Sequence, residues 1–320
     1  MEKYPQNVYV RRNVIHENID ENLKGLIDRY FRQDDTLALV SAYSDYQAKY
    51  LFNFRFDTTL FQTAVAHRKL GFYDEALDIL RFLETRSGGT IGELVQLEKA
   101  GTLLENEDLT EARNTIAGFL QKFPESPYDA EARQLLARIY RKQKSFPMAL
   151  LVYKQALQKY DQNKNPLLAE IVPELYFDLG ELQEETGNFV EAGEAFQAAI
   201  SSYNHPLDHQ DTPEYIVKSH FLSADMHNKA QNDETALASY QKAISLYEDK
   251  KNKDIIERVF WARYQIGTIF TRQGKDQQAL NNFKMLMDEK GGDGQLWKKL
   301  AAENHRSIAR KLAYDDYLKE

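Results

Sequence analysis

The chain has 320 residues, a formal net charge of -8, 42% hydrophobic and 28% charged residues, and no cysteine. The missing thiol rules out disulfides, thiolate metal sites and cysteine nucleophiles in one step, and the acidic balance disfavours a nucleic-acid ligand and offers no general attraction to an anionic membrane. With only 8 Pro and 15 Gly, the chain is expected to be folded nearly throughout, as two globular domains or one elongated array.

Residues 1–16, MEKYPQNVYVRRNVIH, show no clear period and no apolar core of signal-peptide length, and read as a lead-in segment. The least charged runs, such as Thr36 to Ser44, are too short to span a bilayer, so the chain as given is expected to be soluble, without direct membrane insertion. A signal or anchor removed before residue 1 would leave no trace. Residues 17–57 hold two helical patterns broken near Gln33-Asp34-Asp35, with Leu23, Leu26, Ile27, Tyr30 and Phe31 as the first apolar stripe. They read as a degraded or capping repeat.

From residue 58 to residue 293 six helix pairs are readable through one landmark, an alanine early in the second helix: Ala76, Ala112, Ala149, Ala192, Ala236 and Ala279. These are separated by 36, 37, 43, 44 and 43 residues. Twelve residues before each stands another small residue, Ala64, Ala100, Ala137, Gly180, Ala224 and Gly267; four residues after each stands a large one, Leu80, Ile116, Tyr153, Phe196, Tyr240 and Phe283. Small residues let backbones approach and large ones fill the gap between neighbouring pairs, so no pair buries its apolar face alone. Gly71, Gly187 and Gly274 mark the turn between first and second helix. Asn106, Lys144 and Asn232 stand near the same place as a looser match. The extra residues of the later pairs, in DQNKNPLLAEIVPELY and NHPLDHQDTPEY, are expected to lengthen helices rather than loops. Residues 294–320, with Leu296, Trp297, Leu300, Ala301, Ile308 and Leu312 on one side, predict a helix that caps the stack.

This small-small-large spacing, with its turn glycines, resembles the tetratricopeptide repeat across roughly residues 58–291. The stretch FPESPYDAEARQLLARIY, from Phe123, is similar to repeats of bacterial envelope-assembly proteins. The resemblance implies an all-α, right-handed superhelical solenoid of antiparallel helix pairs. It further implies a noncatalytic protein-protein interaction scaffold that receives a peptide or partner domain on the concave face lined by first helices, in a bacterial envelope assembly. The expected location is periplasmic or membrane-associated through a segment not in this chain, rather than cytoplasmic. One subfamily, the chaperone-tail binders, is excluded by its own motif. Where it requires Asn the repeats carry Val65, Gly101, Arg138, Glu181, Asp225 and Thr268; where it requires Lys they carry Phe61, Leu97, Gln134, Phe177, Phe221 and Tyr264.

Equivalent positions of successive first helices point at one groove, so Phe177, Phe221 and Tyr264, joined by Trp261, are candidates for an aromatic ladder that binds a partner. The competing reading packs these rings between adjacent first helices. Arg138, Arg141 and Lys142 of the third pair fall beside Glu181, Glu184 and Glu185 of the fourth. Arg138 and Glu181 are therefore either groove residues or mutually neutralising neighbours that set register. His205, Asp208, His209 and Asp211 have metal-ligand chemistry but loop context, and read as a solvated connection. No phosphate-binding, dinucleotide-binding or nucleophile-elbow pattern is present, and no cofactor, metal or catalytic residue is assigned. Two other roles fit the same residues: a carbohydrate-binding module stacking sugars on Trp261, Tyr264 and Phe221, and an accessory region of a larger enzyme. Self-association is also open, because solenoid ends are adhesive when imperfectly capped.

Overall fold

In a computed structural model, residues 21–49, 57–160, 171–203, 212–249, 252–289 and 293–318 are described. All regular structure among them is helical, in two compact units, Met1–Val152 and Tyr153–Glu320. The first unit contains α1 (21–32), α2 (Thr36–Lys49), α3 (Asp57–Lys69), α4 (Tyr73–Glu84), α5 (Gly89–Glu105), α6 (Leu109–Lys122) and α7 (Asp129–Lys142), and α8 (Phe146–Tyr160) begins in it. The second contains α9 (Ile171–Glu185), α10 (Phe189–Ser202), α11 (Glu214–Lys229), α12 (Asp233–Tyr247), α13 (Lys253–Arg272), α14 (Asp276–Asp288) and α15 (Gln295–Tyr317). Within each unit, helices pack on their chain neighbours, and first helices also meet one another, as α3 meets α5 and α11 meets α13.

The turn between first and second helix is the same in all seven pairs of the described residues. After Arg68, for example, Gly71 N–H donates to Arg68 C=O at 2.9 Å and Phe72 N–H reaches back to His67 C=O at 2.9 Å. This is the Schellman arrangement, which satisfies carbonyls left over at a helix end and needs one left-handed residue. That residue is Gly71, Gly187 or Gly274 in three pairs and Asp34, Glu107, Lys144 or Gln231 in the others. The looser turns thus have the same geometry as the glycine ones, one residue away from the expected asparagines: Asn106 is the C-cap of α5, and Asn232 the N-cap of α12. In α6 the capping residue Asp108 accepts from Glu111 N–H at 3.1 Å, satisfying one orphan donor of the first turn.

The pair α1–α2 keeps this register too. Its left-handed Asp34 stands five residues before Leu39, as Gly71 stands five before Ala76, and Ile27, Leu39 and Tyr43 occupy the small-small-large positions in the buried core. Large residues fill places that are small elsewhere, and so the repeat is hard to see in the sequence.

The six alanine landmarks and their six large partners are completely buried. Where the earlier small position is glycine, its large partner is phenylalanine. An added Cβ on Gly180 would lie 2.7 Å from the Phe196 ring, and one on Gly267 would overlap the Phe283 ring. The aromatic face lies directly on the helix backbone there. Of the lengthened helices expected in the later repeats, α13 is one, at 20 residues. At its start Asn252 caps the N–H groups of Asp254 and Ile255 at 2.9 and 3.3 Å. By contrast α11, at 16 residues, follows the N-cap Pro213 and is no longer than the 17-residue α5. The lead-in residues 1–16 and the segment between Tyr160 and Ile171 lie outside the described residues. At the C-terminus α15 packs on α13 and α14 through Ala301, Ile308 and Trp297.

Candidate functional site

The first helices α11, α13 and α15 of the second unit bring together the most chemically distinctive side chains of the described residues. Asp225 on α11 accepts from the Tyr240 hydroxyl and from Trp261 Nε1 at 3.1 Å. Burial pushes its carboxyl above the usual range; these two hydrogen bonds and the neighbouring Lys229 pull the other way. Tyr240 is in turn raised by burial and by Asp225, so the pair shares one negative charge in a poorly solvated place.

Asp225 fixes Trp261 by its ring nitrogen, and an aromatic cluster grows from there. Trp261 lies 4.8 Å from Trp297 and 6.2 Å from Tyr264, nearly parallel to the latter at 27°; Tyr264 lies 5.8 Å from Trp297. Each polar tip has a partner, as amphipathic rings require when half-buried. Trp297 Nε1 donates to Glu257 at 3.2 Å, and the Tyr264 hydroxyl accepts from Asn304 at 2.9 Å. The three rings therefore latch α15 onto α13 while remaining only partly buried.

A polar row crosses the same helices. Lys229 pairs with Glu184 at 2.7 Å, Asn228 donates to Gln265 at 3.1 Å, and Arg272 donates to Asn228 Oδ1 at 2.8 Å and to Asp233. In the first unit the corresponding row is more highly charged. Arg68 pairs with Glu98 and Glu105, each at 2.6 Å, and Lys69 with Asp34 at 2.6 Å. Neighbouring first helices thus answer one another's charges, which fixes register more than it contributes stability, since exposed pairs are worth about 0 to 1 kcal/mol.

The expected aromatic ladder is only partly assembled. Trp261 and Tyr264 are together, joined by Trp297. Phe177 belongs to a separate cluster, 5.6 Å from Phe196 and 5.8 Å from Tyr215. Phe221 has no surface to offer: it is 1% exposed, with its ring 5.6 Å from that of Tyr247. The last turn of α12 covers it, so its place in the groove is corrected to a place in the core. Arg138 is exposed on α7 of the first unit, and Glu181 is half-buried on α9 of the second. Glu184, a member of the same acidic set, is engaged by Lys229 in its own unit. The His205 to Asp211 cluster lies outside the described residues, among which no group of acidic and histidine side chains could hold a metal ion. No helix of the described residues is long and apolar enough to cross a membrane.

The sequence reading placed Trp297 on the capping face but not in this cluster, and it missed Glu257, Asn304 and the role of Asp225. One signal was available. Trp297-x2-Leu300-Ala301 repeats the first-helix pattern of the solenoid 34 residues after Gly267, and that places Trp297 beside the preceding first helix.

Residues 97–164 and 173–205 match models of the tetratricopeptide repeat. Both stretches are tetratricopeptide repeats. The tetratricopeptide array is similar in structure to the C-terminal part of a repeat-containing protein from Cytophaga hutchinsonii, at 13% identity and a TM-score of 0.62, over 88% of this chain and 98% of that one. It is also similar to PilW, a widely conserved type IV pilus biogenesis factor, at 14% identity and 0.54 over 73% and 96% of the two chains. The apo quorum sensor NprR from B. thuringiensis matches at 10% identity and 0.58 over 88% and 92%. At such identities the likeness is one of fold. Sequence comparison with curated proteins gives no match. The tetratricopeptide solenoid is a protein-protein interaction scaffold, and this chain has that architecture.

Proposed function

We propose that the protein holds a peptide or a partner domain on the concave, first-helix face, with the recognition centre at Asp225, Trp261, Tyr264 and Trp297. The single observation that carries this is the pairing of a poorly solvated carboxylate with half-buried aromatic faces on a preformed helical frame. Such a site suits a cationic group of the partner, a lysine, an arginine or a chain terminus, because the ring quadrupole and the carboxylate attract the same charge and little ordering is left to do on binding. A role in a bacterial envelope assembly is supported by the resemblance around Phe123 and by the shared fold with PilW, and it stands as part of the proposal. A sugar-stacking site has less support, because Trp261, Tyr264 and Trp297 lie against one another.

The test is a crosslinking capture from native cells with the intact chain. Trp261→Ala and Asp225→Asn are expected to reduce recovery of the specific partner about tenfold, as loss of a central aromatic or charged anchor does. Equal recovery with both variants would remove this site from the binding surface. A melting temperature close to that of the unmodified protein shows that any loss reflects the surface and not the fold.

A further inference from the structure

The second unit has another concavity, on the side of its second helices. Between α12 and α14, with α13 as floor, lies an open cavity of about 650 Å³. Its apolar walls are Ile244 of α12, Ile266 and Phe270 of α13, and Met285 and Leu286 of α14. Met285 is 74% exposed at the margin. An unbranched thioether there is an adaptable contact, of the kind over-used on peptide-binding surfaces. Asn282, in the same wall, has a buried Oδ1 that accepts no hydrogen bond.

At one end the character changes. Arg263 is held by Glu248 at 2.9 Å and by Glu289, and Asp288 lines the same cavity. Two carboxylates thus hold one guanidinium and a third adds its charge to the lining, an excess of negative charge. From Phe270 to Arg263 the floor runs about 10 Å along α13, at 1.5 Å per residue. That length fits two apolar anchors one helical turn apart, followed by one cation. Arg263, Ile266 and Phe270 also lie on the opposite side of α13 from Trp261, Tyr264 and Thr268, at 3.6 residues per turn. The cavity is therefore independent of the first-helix site.

We propose that this cavity docks a basic amphipathic helix of a partner protein, its apolar side chains over Ile244, Ile266, Phe270 and Met285 and its lysine or arginine against Asp288 and Glu289. The scaffold then engages partners on two faces. Apolar anchors supply the affinity and the carboxylate rim selects the sign of charge.

Two synthetic helical peptides with identical leucines at i and i+4 test this, one carrying lysine and the other glutamate at the flanking positions, titrated into the full chain by fluorescence anisotropy. The lysine peptide is expected to bind about tenfold tighter than the glutamate peptide, with the difference shrinking at high salt. Met285→Arg, at a largely exposed position, is expected to weaken the lysine peptide about tenfold, and Asp288→Asn by a smaller factor, through loss of an anchor and of a rim charge respectively. Trp261→Ala is expected to leave its affinity unchanged. No binding of the lysine peptide, no preference for it, an unaltered affinity in Met285→Arg, or a loss in Trp261→Ala equal to that in Met285→Arg would each overturn the proposal. Asp288→Asn serves as the second variant if Met285→Arg disturbs the fold.

Discussion

At the scale of single residues, the sharpest demands fall on positions that look interchangeable. Gly267 and Gly101 both lie within first helices, yet an added methyl would collide with the Phe283 ring at the first and meet nothing within 4 Å at the second. Gly267→Ala should therefore destabilise by about 1 to 3 kcal/mol through overpacking, and Gly101→Ala should stabilise by about 0.5 to 1 kcal/mol through helix propensity. Opposite shifts in melting temperature check both. His220 makes a different demand. Burial, with Lys242 adding to it, lowers its pKa from 6.5 to about 4, and its Nε2 has no partner beside the Tyr247 ring. The folded state binds this proton less readily than the unfolded chain does. Its contribution is therefore complete above pH 6.5 and is lost as pH falls toward about 4, by an amount on the order of 3 kcal/mol. Asp225 works in the other sense, since a carboxyl raised by burial favours the fold as it protonates. Denaturant titrations of His220→Phe against the native chain should show a flatter pH profile between 4 and 6.5; an unaltered slope would assign the acid sensitivity to other groups.

Between one helix and the next, the turn is the conserved piece of geometry and its residue is not. Asp34, Glu107, Lys144 and Gln231 hold a left-handed conformation that costs about 1 to 2 kcal/mol for a residue with a Cβ. Gln231→Gly should relieve that strain and lose part of the gain to the freer unfolded chain, leaving about 0.5 kcal/mol of stabilisation. A higher denaturation midpoint with an unchanged slope is the expected reading. The same turns show what was legible in the sequence and what was not. Six repeats were readable because their alanines and aromatics recur at fixed spacing, and a spacing is a one-dimensional property. The α1–α2 pair was obscured because Ile27 and Leu39 fill the small positions, while its turn, which carries no residue signature beyond Asp34, is unaltered. At the site the failure was of another kind. Position in a repeat predicts which way a side chain points but not what lies over it, so Tyr264 remained at the surface and Phe221 went under Tyr247. Exposure depends on the neighbouring helix, which lies dozens of residues away in the sequence. The general expectation of lengthened helices in the later repeats holds for α13 and fails for α11.

Over the whole molecule, the two candidate binding faces share one helix. α13 presents Trp261 and Tyr264 to one side and Ile266 and Phe270 to the other, and its 20 residues carry floor and wall together. The balance of -8 is compatible with cationic partners at both, since each site ends on carboxylates. The seven like turns have a mechanical consequence as well. A chain stretched from its ends should give way at the junctions between pairs, where spacing varies, before it gives way within the hydrogen-bonded turns. Single-molecule extension should then release length in steps of whole pairs. Separations of 36 to 44 residues correspond to at most about 130 to 160 Å of extended chain per step. Steps of half that length would show single helices peeling away from their partners. Steps of whole pairs would mean that, under load, one pair can open while its neighbours hold.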